Sequence, residues 1–369
     1  MSFILRISHL SILLLLSLCF PLTLQAADKD EWIIDSKTSC SVWNEYPGPS
    51  KAISWSGECA GGKASGKGRL QWYKNGEESN YYEGEYRDGK KHGRGVFTWQ
   101  SGSRYEGGYK EGKKHGEGIF TWENGSRYEG EYKDGKKHGR GVSTWDDGSR
   151  YEGGYRKGKK HGQGVFTWED GSRYEGEYKD GKKHGRGVST RDDGSRYEGG
   201  YRNGKKHGKG VLSNLKGDRF EGEYKNGKPD GHGVSTLASG IRYEGEFRKG
   251  KPNGRGVFSK TDGTRYEGSV KNGKKHGQGT FTRPDGMRYE GGFKIGKPHG
   301  QGLLIKADDS RYQGGFRDGK LHGQGLLIEP DGTRYKGEFD EGKPHGELEV
   351  TYTDGTVEQQ LWSYGRQIE

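Results

Sequence analysis

Residues 82–104 read YEGEYRDGKKHGRGVFTWQSGSR, and the chain restarts on this pattern every 23 residues. Tyr82, Tyr105, Tyr128, Tyr151, Tyr174, Tyr197, Phe220, Tyr243, Tyr266, Tyr289, Tyr312 and Tyr335 each open a Y/F-x-G segment, and the interval never slips. YEGEY alternates aromatic or glycine with charge, which is the period of a β-strand. DGKKHG reads as a turn, with Gly89 and Gly93 free to take positive φ. GVFTW reads as a second strand, and SGSR or DGSR turns the chain into the next unit. The fold class expected is all-β: an elongated antiparallel β-hairpin solenoid of about 12–13 repeats. With strands about 4.8 Å apart, each unit advances roughly 10 Å and the rod is on the order of 120 Å long.

By composition alone the chain would read as disordered, and the spacing of its residues argues for a repeat instead. Of 369 residues 71 are Gly, and 27% are hydrophobic, too few for a large central core. Regular glycine spacing and 12% aromatic residues instead suit burial between neighbouring units. The net charge of +11 is spread through the chain and interleaved with 52 acidic residues, so most of it reads as a mixed solvated surface.

The first residues, MSFILRISHLSILLLLSLCFPLTLQAADKDEW, combine Arg6, an apolar run and small residues around Ala26. This is the pattern of a secretory signal peptide, 1–26, and places the mature chain outside the cytoplasm, periplasmic or secreted. A retained membrane anchor is the alternative; a lipoprotein reading through Cys19 is weaker, because Leu18 stands where a small residue is required. Export argues against nucleic acid as the partner. Residues 27–54 form a lead-in or cap, 55–81 a divergent first repeat, 82–357 twelve repeats, and 358–369 a truncated final unit that caps the end. Cys40 and Cys59 are an even pair in an oxidising compartment, so a disulfide is the natural reading against two free buried thiols.

The unit resembles the MORN repeat (membrane occupation and recognition nexus), whose pattern is Y-x-G-x-x-x-x-G-x-x-x-G-x-G. The likeness covers about 82–362, and CSVWNEYPGPSKAISWSGEC at 40–59 resembles the lead-in of bacterial exported MORN proteins. The resemblance implies a curved all-β solenoid acting in binding, scaffolding or attachment near a membrane. Eukaryotic lipid kinases carry the same repeats beside a catalytic domain, and no kinase domain fits here.

The motifs that suggest chemistry lose to simpler readings. GGKASGKG at 61–68 satisfies the start of a P-loop, but Gly68 replaces the Ser/Thr that holds Mg²⁺, and no strand–helix unit surrounds it. The histidine column of His92, His115, His138, His161, His184 and His207 lapses at Asp230 and Asn253 and resumes from His276. Copies roughly 10 Å apart cannot share a zinc ion that needs ligands near 2.0–2.1 Å. These histidines read as turn residues packing on the next unit. No catalytic residue, metal site or cofactor is expected, since an active site breaks a repeat and each carboxylate recurs as a ladder.

Two features remain as candidate sites. On the second strand one side is uniform (Val96, Ile119, Val142, Val165), which suits packing against identical neighbours. The other side varies and leads to a tryptophan stripe, Trp72, Trp99, Trp122, Trp145 and Trp168, which gives way to Arg191, Asn214, Leu237 and Lys260. Such a stripe binds sugars, peptides or a membrane interface, or else packs on itself to cover the sheet. The lysine pairs Lys90–Lys91, Lys113–Lys114, Lys136–Lys137 and Lys159–Lys160 read as a row of exposed charge along one edge, suited to anionic lipid or another polyanion. The leading expectation is a non-enzymatic scaffold for a protein or cell-envelope partner. An anionic membrane surface is the alternative, and a homodimer through a ribbon edge is compatible with both.

Overall fold

The computed structural model describes residues 31–44 and 51–368. The leader expected at 1–26, with Cys19, lies outside the described residues. Thirty-one strands among the described residues join one sheet, with no helix. From Lys63–Lys74 onward each strand pairs antiparallel with the next in sequence, and no pairing among the described residues closes the ends. The architecture is an open meander, as the 23-residue period predicts.

The tip turn is tighter than DGKKHG suggested. Arg87 pairs directly with Lys90, leaving a two-residue loop with Asp88 at φ 49° and Gly89 at φ 73°. Positive φ at both central positions defines the type I′ turn, whose twist matches that of the flanking strands. Lys90–Thr98 is therefore already strand, and the lysines and His92 are strand residues rather than turn residues. The opposite end, Trp99 to Ser103, is a three-residue loop closed by Gly102 N–H to Trp99 O and Trp99 N–H to Ser103 O. Aspartate side chains tighten later copies, as Asp147 does by accepting from Ser149 N–H.

Between these turns the pairing slips. Gly130 faces Gly141, yet Tyr132 faces Lys137, so one residue on the first strand opposes three on the second. This bulge recurs in every unit from 82 onward and frees a carbonyl, which the first tyrosine reaches: Tyr128 Oη donates to Glu131 O at 3.0 Å and Tyr151 Oη to Gly154 O at 3.0 Å. To do so the ring lies flat over the sheet. A Cβ at Gly95 would stand 2.2 Å from the Tyr82 hydroxyl oxygen, which explains why that column is glycine.

The core is one row of rings on one face of a single layer. Tyr82, Tyr105, Tyr128, Tyr151 and Tyr174 are fully buried. Each touches the second tyrosine of its own unit and that of the next edge-to-face: Tyr151 stands 5.2 Å from Tyr155 and 5.3 Å from Tyr178. The herringbone continues with phenylalanine to Tyr312–Phe339. Each unit thus buries its rings against the next, without a second sheet. Here the expectation for the second strand needs correction. The uniform column of Val96 and its copies faces the opposite, polar side with an Arg–Glu ladder (Arg150 to Glu152, 2.7 Å), while the variable column at Phe97 packs on the core. Neighbours on the polar face are identical because the ladder repeats, and the face stays half-open.

The lead-in caps the tips of the first hairpins. Glu31–Ile34 and Ser41–Asn44 pair with each other, Trp43 N–H donates to Gly89 O, and Trp32 covers Gly89. A Cys40–Cys59 disulfide ties this cap to Glu58–Ala60. At the other end Val357–Ser363 and Arg366–Gln367 form a last hairpin, so the tail supplies a first strand and a short return.

Candidate binding face

The aromatic face carries both sets of residues singled out in the sequence. Trp72 is buried, 5.4 Å from Phe97. Trp99 is half-buried, 4.3 Å from Phe97 and 5.1 Å from Phe120 of the next unit. Trp145 and Trp168 are also half-buried, whereas Trp122 is 37% exposed. The stripe therefore flanks the core, with one side of each later indole open.

The lysine pairs divide. Lys113, Lys136 and Lys159 are exposed beside the hairpin tips, and Lys90 is half-buried with its Nζ 5.7 Å from the Trp43 ring of the cap. The second lysines are not part of an exposed edge. The bulge turns them onto the aromatic face, where Lys114 Nζ lies 4.2 Å from the centre of Phe120 and 5.1 Å from Trp99. Lys91 is held likewise, 4.3 Å from Phe97 and 5.5 Å from Trp72. Lys137 stands 5.1 Å from Trp122, and Lys160 5.0 Å from Trp145 and 3.8 Å from Phe166. Ring faces attract an ammonium group, while loss of water opposes its charge. Desolvation wins for the proton: burial lowers Lys137, and burial with a smaller contribution from Lys137 lowers Lys160, each to about 8.

Sequence reasoning missed that this column continues through Lys183 and Lys206, yields to Pro229 and Pro252, and returns at Lys275. The signal was present in the sequence, because proline replaces only the second lysine of the pair. The histidines do pack on the next unit. His92 Nδ1 lies 3.9 Å from Glu111 and His161 Nδ1 3.9 Å from Asp180, both on the following tip turn. Among the described residues no three His, Cys, Asp or Glu side chains converge on a metal-sized site. No described helix is long and apolar enough to cross a membrane.

The MORN repeat family matches residues 55–77 and then every 23-residue unit from 82–104 to 335–357. The chain is a MORN-repeat protein. Thirteen copies in tandem account for most of its length, and MORN repeats serve generally as non-catalytic modules that bind membranes or proteins. No curated protein matches this MORN chain. Among solved structures, the SAS-4 (dCPAP) TCP domain bound to a proline-rich motif of Ana2 (dSTIL) from Drosophila melanogaster is 11% identical. The match covers 47% of this chain and 83% of that one, with a TM-score of 0.22. A streptogramin B lyase is 12% identical over 86% of this chain and 88% of its own, with a TM-score of 0.13. At such scores neither bears on how the MORN rod works.

Proposed function

We propose that the protein is an exported, non-enzymatic MORN rod that engages a protein or cell-envelope partner along its aromatic face. The observation that supports this most is the half-open tryptophan row, in which each of Trp99, Trp122 and Trp145 meets a lysine ammonium from the following unit. Apolar area beside fixed charge is what a specific recognition surface needs. Export is supported by the apolar leader and by the Cys40–Cys59 disulfide, which persists in oxidising compartments. The test is capture from an envelope extract: replacing Trp99, Trp122 and Trp145 by Ala should abolish it, and unchanged capture refutes the face.

The exposed tip lysines favour a second reading, peripheral attachment to anionic phospholipid. Lys113, Lys136 and Lys159 recur every 23 residues on one edge, about 10 Å apart. Each basic residue close to an anionic surface contributes about 1 kcal/mol at low salt. Sedimentation with anionic vesicles should then fall steeply with salt and vanish with neutral vesicles; binding indifferent to both excludes this mode.

A further inference from the structure

Of the five units between residues 82 and 196, two lack a ring on the aromatic face that the other three have. Phe97, Phe120 and Phe166 occupy one column, but Ser143 and Ser189 stand in it 46 residues apart. Where the ring is present it fills the space between the lysine and its own unit's tryptophan: Phe166 lies 3.8 Å from Lys160 Nζ and 4.4 Å from Trp168. Where serine replaces it, a depression opens. The first, about 740 Å³, is walled by Trp122 and Trp145 with Lys137 and Ser143 inside. The second, about 590 Å³, has Trp168 and Arg191 with Lys183 and Ser189.

Both hollows contain the same polar set. Lys137 Nζ donates to Ser143 Oγ at 3.1 Å, and Ser143 Oγ shares a 2.8 Å hydrogen bond with Tyr155 Oη. Two repeats on, Lys183 donates to Ser189 at 3.1 Å and Tyr201 Oη donates to it at 2.8 Å. An ammonium group has three donors. Each of these lysines spends one on serine, and the other two reach no protein acceptor among the described residues. A third serine in the column, Ser235, has Pro229 and Phe247 in the places of the lysine and tyrosine, so its unit lacks the set.

We propose that these two hollows are paired subsites for the sugar rings of a linear glycan, an inference that rests on the aromatic face being the binding face. A pyranose has an apolar C–H face to lay on an indole and ring and hydroxyl oxygens to accept from the free lysine donors. An aromatic side chain of a protein partner matches the shape of the missing phenylalanine. A phenylalanine there brings no oxygen acceptor, however, and leaves the two remaining lysine donors facing a ring, as Lys160 faces Phe166. Oxygen-rich rings satisfy them. The two subsites lie four strands apart, about 19 Å, so one extended oligosaccharide occupies both and gains from the linkage.

Titration calorimetry on the mature chain tests this with two probes, a β-1,4-linked N-acetylglucosamine hexamer and a β-1,4-linked uronic acid hexamer. At least one should bind, and tighter binding of the uronic acid reports contact with the lysines. Ser143→Phe and Ser189→Phe restore the ring that neighbouring units already hold, so the fold accommodates them. Each should weaken binding about tenfold and the double variant should abolish it, while Ser235→Phe should leave it unchanged. Failure of both hexamers to bind, or full binding by the double variant, overturns the glycan assignment. If envelope capture still requires Trp99, Trp122 and Trp145 in that case, the face stands and only its ligand class falls. If capture ignores the tryptophans while the serine fillings abolish hexamer binding, the subsites stand and the wider face falls.

Discussion

Replacing Tyr151 by Ala tests whether one row of rings holds the rod together. The side chain is fully buried, edge-on to Tyr155 and Tyr178 and 6.5 Å from Phe166. Deleting a buried ring of this size costs about 3–5 kcal/mol, and the two edge-to-face contacts place the value in the upper part of that range. Tyr151→Phe keeps the ring and loses only the hydrogen bond to Gly154 O, about 1 kcal/mol; Phe220 shows that the column accepts phenylalanine. Because each unit touches only its neighbours, the damage should stay local. Urea unfolding followed by circular dichroism should show an early transition in Tyr151→Ala. Hydrogen exchange should speed up across 128–196 and remain as in the parent beyond residue 289. A loss below about 1 kcal/mol for the alanine variant, or faster exchange spread evenly along the chain, refutes the herringbone as the source of stability.

Alkali should act in two opposite stages. Lys137, Lys160, Lys183 and Lys275 are lowered from 10.5 to about 8 by burial, so between those values the unfolded chain binds more protons and stability rises with pH. Burial raises the core tyrosines above their ordinary 10, Tyr155 to about 12, so above pH 10 the unfolded chain loses protons the folded one keeps and stability falls. A melting temperature that climbs from about pH 8 to 10 and drops steeply beyond is expected; a flat profile contradicts the burial of these groups. Cys40→Ser should release the cap at a cost of about 3 kcal/mol, seen as faster exchange in 31–44 with the repeats beyond 128 unaffected. Protection in the cap equal to the parent's counts against the disulfide as its anchor. Glu152→Gln removes one rung of the exposed Arg–Glu ladder and should cost less than about 1 kcal/mol; a loss above about 2 would mean the polar face carries more of the fold than surface ion pairs supply.

The sequence by itself determined the repeat, its 23-residue interval and the all-β class, because strand alternation broken by turn residues is copied every 23 residues. It also isolated the cysteine pair and the tryptophan column. The tertiary structure decided which side of the strand is the core. Val96 and Phe97 alternate equally well on paper; the choice follows from the Tyr82 ring, which needs two facing glycines beneath it, Gly84 and Gly95. It also decided the fate of the lysines. Lys90 and Lys91 are adjacent in sequence, and the bulge beside Gly93 sends the second onto the rings. The serines at 143 and 189 read as mere variation until that lysine is placed beside them. A hollow exists only once the neighbouring rings define what is missing, and no single strand of the sequence contains all of its walls.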